Sequence, residues 1–126
     1  MARLNANAET LLANTTVDLN SAAPQPLYVI PSIVVSCYVT KIVITGANAA
    51  WTTASLSCGY GGATYNDVIA TAVHTELSAT DYLYSVVNAK AGAVAGSGGN
   101  ILNALAGILE GSALSVNVFV FGFLTY

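Results

Sequence analysis

The stretch from Ala113 to Tyr126 constrains the fold more than any other, because a single periodicity runs through it. Taken in steps of two, Leu114, Val116, Val118, Val120, Gly122 and Leu124 fall on one side, and Phe119, Phe121 and Phe123 on the other. Side chains of a β-strand point alternately to opposite faces, so this strand is apolar on both faces along its second half. Only Ser115 and Asn117, near its start, are suited to water. Such a strand makes a poor exposed edge and belongs in the middle of a sandwich or at a subunit interface.

A sheet partner is legible upstream. From Ile33 to Thr45 β-branched residues dominate, with Val35, Cys37, Val39, Lys41 and Val43 alternating against Val34, Ser36, Tyr38, Thr40, Ile42 and Ile44. Gly46-Ala47-Asn48 supplies a turn to end it. Shorter β-prone segments run from Leu11 to Thr16, Leu27 to Ile30, Ala54 to Tyr60, Asp67 to Val73 and Tyr82 to Val87, while Ala91 to Gly99, rich in glycine and alanine, reads as a flexible loop. At 100–110 the local signals favour a short helix. Ile101, Leu102, Leu105, Ile108 and Leu109 have helical spacing between an Asn100 N-cap and Gly111, although tertiary pairing would draw Ile101 to Leu105 into a strand. Seven or eight strands separated by Gly, Asn and Pro turns predict an all-β fold, an antiparallel β-sandwich of jelly-roll type.

Residues 1–26 differ from the rest, being rich in Asn, Ala and Thr and ending in Ala23-Pro24-Gln25-Pro26. They are expected to form an N-terminal arm and connector, with 27–126 as the β-sandwich domain. The two prolines make the connector extended. The arm's short strand belongs either to the same domain or to a neighbouring subunit.

Composition narrows the function. Charged residues make up 7% of the chain and hydrophobic ones 55%, against about 25% charged in an ordinary soluble domain. A free monomer relies on surface charge to avoid association, so this chain is expected to hide much of its outside against copies of itself. The basic residues Arg3, Lys41 and Lys90 form no patch, which argues against nucleic acid and against a polybasic membrane contact. The mean hydropathy of +0.65 raises the question of a membrane span. Prolines 24, 26 and 31 and the glycines of 91–109 nevertheless interrupt every long uncharged run, so no membrane partner is expected. The opening residues lack an apolar h-region, so no secretory signal is seen and the chain is expected to mature in the cytoplasm unless processing has already removed one.

No motif carries chemistry. Cys37, Cys58 and His74 have no metal-ligand spacing, the glycine-rich loop lacks a nucleotide fingerprint, and no cofactor is expected. The two cysteines are expected to be buried thiols, with a disulfide as the alternative. His74 with Asp67, Glu76 or Asp81 and a serine would be needed for a triad, but there is no nucleophile elbow, so no catalytic residue is assigned and an enzyme is not expected. Trp51, Tyr60 and Tyr65 are the candidates for a ligand or contact loop. Trp51 reads more readily as a lid on the end of the sandwich or a subunit contact than as a ligand platform.

The segment Val118-Phe119-Val120-Phe121-Gly122-Phe123-Leu124-Thr125-Tyr126 resembles the closing strand of the trimeric jelly-roll family that includes tumour necrosis factor and the C1q heads. The resemblance implies that Phe119, Phe121, Phe123 and Tyr126 form an oligomer interface facing a threefold axis. Across its whole length the chain is similar in character to small virion proteins of tailed phages, particularly capsid decoration proteins. That likeness implies a structural subunit in a virion, a symmetric homo-oligomer with a capsid shell protein as its partner. The alternatives are a carbohydrate- or receptor-binding module using Trp51, Tyr60 and Tyr65, and a filament or surface-layer subunit joined by strand addition.

Overall fold

The structure, a computed structural model, describes residues 9–79 and 83–126. Eight strands follow one another: β1 (Thr10–Asp18), β2 (Gln25–Val29), β3 (Ser36–Thr45), β4 (Leu56–Gly59), β5 (Ile69–Ala72), β6 (Tyr84–Asn88), β7 (Ile101–Leu105) and β8 (Ser115–Thr125). They form two antiparallel four-stranded sheets, ordered β1-β8-β3-β6 and β2-β7-β4-β5. No helix occurs among the described residues.

The two sheets face each other across one apolar core. Val17, Val116, Val118, Val120, Cys37, Val39, Ile42 and Ile44 come from the first sheet, and Leu27, Leu102, Ala104, Leu56, Cys58 and Ile69 from the second. Each fully buried Val, Leu or Ile contributes about 1.5–3 kcal/mol, so these alternating positions supply most of the drive to fold. The closing strand lies second in its sheet, between β1 and β3, as its two-sided apolar character requires.

Two local expectations are corrected. At 101–105 the chain is strand, not helix. Leu102 and Ala104 point into the core while β2 and β4 pair with both edges of β7, and that cooperation outweighs helical spacing. The stretch at 91–99 is a strap rather than a flexible loop. Cys37 and Gly96 exchange backbone hydrogen bonds of 2.7 and 3.0 Å, and Gly98 and Gly99 donate to the Val34 and Ile30 carbonyls. Gly98 is required here, since a Cβ would lie 2.6 Å from the Ser32 carbonyl oxygen. The strand expected within residues 1–26 is β1, paired with β8 of the same sandwich, which is one of the two placements left open for it.

Faces along β3 also differ from simple alternation. Val39 pairs with Gly122 and Lys41 with Phe121, which makes Thr40 an extra residue, a β-bulge. Before the bulge Cys37 and Val39 are buried; after it Ile42 and Ile44 are buried, and Lys41 and Val43 turn outward. A second bulge at Leu12 of β1 stands opposite the same part of β8.

Candidate functional site

Burial of Val116, Val118, Val120 and Gly122 sends the odd-numbered residues of β8 to the outside of the first sheet. The pairing register then places neighbours beside each aromatic ring. Phe123 lies against Tyr38, with ring centroids 5.4 Å apart. Phe121 is paired with Lys41, whose Nζ stands 5.2 Å from the ring centroid, a cation–π contact. Phe119 is paired with Val43, which is paired in turn with Val86; Leu11 lies opposite Phe121, and Tyr84 opposite Thr45. Tyr84 is 66% exposed, Leu11 53% and Val86 51%, so the outer face of this sheet is an open aromatic and aliphatic surface.

Of the expected interface residues, Phe119, Phe121 and Phe123 are brought together as one half-buried row. Tyr126 stands beyond the end of β8, 74% exposed, near Val35, whose amide donates to the Thr125 carbonyl. Tyr38, Val43, Tyr84, Val86 and Leu11 complete the face. Sequence reasoning missed them because membership depends on which strands are neighbours and on the bulge at Thr40.

The charges on the face are few. Lys41 Nζ is 3.2 Å from Glu9 Oε1, and the Thr40 hydroxyl donates to the other Glu9 oxygen. The Thr40 hydrogen bond first, and then Lys41, holds the Glu9 carboxyl below the usual carboxylate range. The pair has no net charge, and the rest of the row around it is uncharged.

The second sheet presents a different outside. Its central strand β4 is buried on both faces, because the chain from Tyr60 to Asp67 folds back over it. Ser57 donates to the Thr64 carbonyl at 2.8 Å, the Tyr60 amide donates to Asp67 Oδ1 at 2.8 Å, and a Cβ on Gly59 would come within 2.8 Å of the Tyr65 carbonyl carbon. The β4 part of one outer face is thus covered by the protein's own chain, while Val29 and Ile101 on its β2–β7 side stay exposed; no described segment crosses the other face.

Trp51, Tyr60 and Tyr65 are not brought together. Trp51 lies five residues before β4, and the two tyrosines follow that strand. Trp51 is 1% exposed, donates from Nε1 to the Ala54 carbonyl at 2.5 Å and meets the His74 ring edge-on, which is the position of a lid on the sandwich end. Tyr60 packs on Gly96 and Ile30, with its buried hydroxyl beside the Cys37 thiol and without a partner of good hydrogen-bond geometry. Burial raises the pKa of that phenol.

At the Trp51 end, sequence reasoning also missed Glu110. Its carboxylate is buried and accepts hydrogen bonds from the amides of Thr52, Thr53 and Ala54 and from the Thr52 hydroxyl, which hold its pKa down at about 2. Nearby, His74 Nδ1 is 3.5 Å from Glu76 Oε2, and Ser85 donates its hydroxyl to that acid rather than to the imidazole. Asp67 is engaged by Tyr60, and Asp81 lies outside the described residues. Both cysteines are buried free thiols. Among the described residues no cluster of His, Cys, Asp and Glu is placed to hold a metal ion.

No known protein-family model matches the chain, and no curated protein sequence matches it significantly.

Proposed function

We propose that this chain is a non-enzymatic structural protein of a virion, a capsid decoration or coat subunit that acts as a symmetric homo-oligomer and attaches to a capsid shell. The observation that carries the reading is the contrast between the two outer faces. The second sheet is roofed over β4 by the Tyr60–Asp67 segment and exposes Val29 and Ile101 beside it, while among the described residues nothing covers the longer row of Phe119, Phe121, Phe123, Tyr38 and Val86 on the first. A chain with 7% charged residues lacks the surface charge that keeps such a face apart from others in water.

The strand orders β1-β8-β3-β6 and β2-β7-β4-β5 support a jelly-roll connectivity, in which most successive strands alternate between the two sheets. The closing-strand resemblance favours a trimer, with the phenylalanine row turned toward the axis and Tyr126 at its rim. The residues ahead of β1 keep the role of an arm that grips the shell. The mechanism is burial, at about 25 cal/mol per Å² of apolar area removed from water.

The test is native molar mass by light scattering, for the unaltered chain and for Phe121→Glu, with circular dichroism to check folding. A small closed oligomer that Phe121→Glu converts to folded monomers is expected. An unchanged oligomer in the variant overturns the assignment, and long open polymers of the unaltered chain point instead to a filament or lattice subunit.

A further inference from the structure

The bulge at Thr40 has a chemical effect as well as a geometric one. With strict alternation Lys41 would share the core face of Val39; the extra residue turns its ammonium outward, into the middle of the aromatic face. There it is met by Glu9, whose two carboxylate oxygens are taken by Lys41 and Thr40. Strand spacing of about 4.8 Å and a rise of about 3.4 Å per residue make the face roughly 19 by 30 Å. That is on the order of 600 Å² per subunit, near the roughly 800 Å² that each side of a stable interface buries. A face of that area, apolar and with the one cation among its described residues already neutralised from within, needs no charge from its partner. An identical face has the same properties.

We infer that the Glu9–Lys41 pair is the specificity element of this face: it lets the surface dock on a second copy of the same chain and disfavours docking when either member stands alone. The inference rests on the assembly reading above. Docking removes both side chains from water, where they are now 39% and 33% exposed. A pair taken from water together is tolerated, whereas a single charge left without its partner is strongly disfavoured; replacing both by neutral groups restores the balance. Among the described residues, the other ionisable side chains on this sheet's outer surface are Tyr38 and Tyr84, and Asp18, at the far end of β1 opposite Ser115.

The experiment is a double-mutant cycle on the full chain, with the dissociation constant of the oligomer measured by light scattering over a dilution series. Glu9→Gln and Lys41→Met are each expected to raise the dissociation constant at least tenfold, and the combined variant to return to within about threefold of the starting protein. Phe121→Glu separates the two levels of the argument. If it dissociates the oligomer while Glu9→Gln and Lys41→Met leave the constant unchanged, only the specificity inference is overturned. If the unaltered chain is monomeric, or if Phe121→Glu does not disturb its assembly, the assembly reading falls and this inference falls with it. Single variants that weaken assembly without recovery in the combined variant also overturn the inference, because the residues would then act independently.

Discussion

A Cβ built on Gly122 collides with the carbonyl oxygen of Tyr38 on the neighbouring strand. The contact lies immediately beside the Thr40 bulge, where β3 crowds against β8. Glycine ends the inward-facing series of Val116, Val118 and Val120 because the backbone of β3 occupies the space that a side chain would fill on the core side.

Gly122→Ala is therefore expected to destabilise the fold by about 1–3 kcal/mol, the usual range for forcing extra volume into a packed site. Urea unfolding measures it. Gly111→Ala is the control: nothing lies within 4 Å of its added Cβ, so its midpoint should stay within about 0.5 kcal/mol of the parent. Equal effects of the two substitutions would show that the β3–β8 approach is looser than described.

Glu110 ties the β7–β8 loop to the segment that carries Trp51. Its carboxyl has a folded pKa lowered to about 2 from an ordinary 4.5, owing first to the Thr52 hydroxyl and then to the Ala54 and Thr53 amides. A depressed carboxylate pKa contributes stability that is present above the unfolded value and lost as pH falls through the folded one. Stability should thus decline from about pH 5 toward pH 2, with Glu9 and Glu76, also lowered, acting in the same direction. Glu110→Gln should cost about 1–3 kcal/mol at pH 7 and flatten this acid dependence. Emission from Trp51, the only tryptophan, reports the transition. An acid profile unchanged in the variant would remove Glu110 from this role.

The thiols offer a third measurement. Cys58 is fully buried, with its pKa raised to about 12 by burial, and burial also raises that of Cys37. The thiolate is the reactive form, so neither cysteine should label with an alkylating reagent at pH 8 while the protein is folded, and urea should release both. Rapid labelling of either thiol in the folded protein would show that its end of the sandwich opens.

The all-β class and the existence of the strands were legible in the chain because alternation is a local property. Val116, Val118 and Val120 against Phe119, Phe121 and Phe123 define two faces whatever the partner strands are. The β-branched run before Gly46 likewise declares a strand and its end, and Gly46 adopts the positive φ of 68° that such a turn needs. Segment 101–105 was not legible in this way. Its helical spacing and its period-two burial coexist in the same five residues, and only pairing with β2 and β4 selects the strand. Nor could the chain declare the strap at Gly96 and Gly98, where glycine provides close approach and not flexibility.

For the candidate site, sequence alone determined the aromatic row of β8, because its three phenylalanines are spaced by two within one strand. Tertiary structure decided everything around that row: Tyr38, Val43 and Val86 beside it, Lys41 outward rather than inward, and Glu9 above Thr40. The physical reason is the bulge. A single unpaired residue in β3 reverses the facing of every residue after it, and whether a strand bulges is settled by the register of its neighbours, which local alternation does not contain.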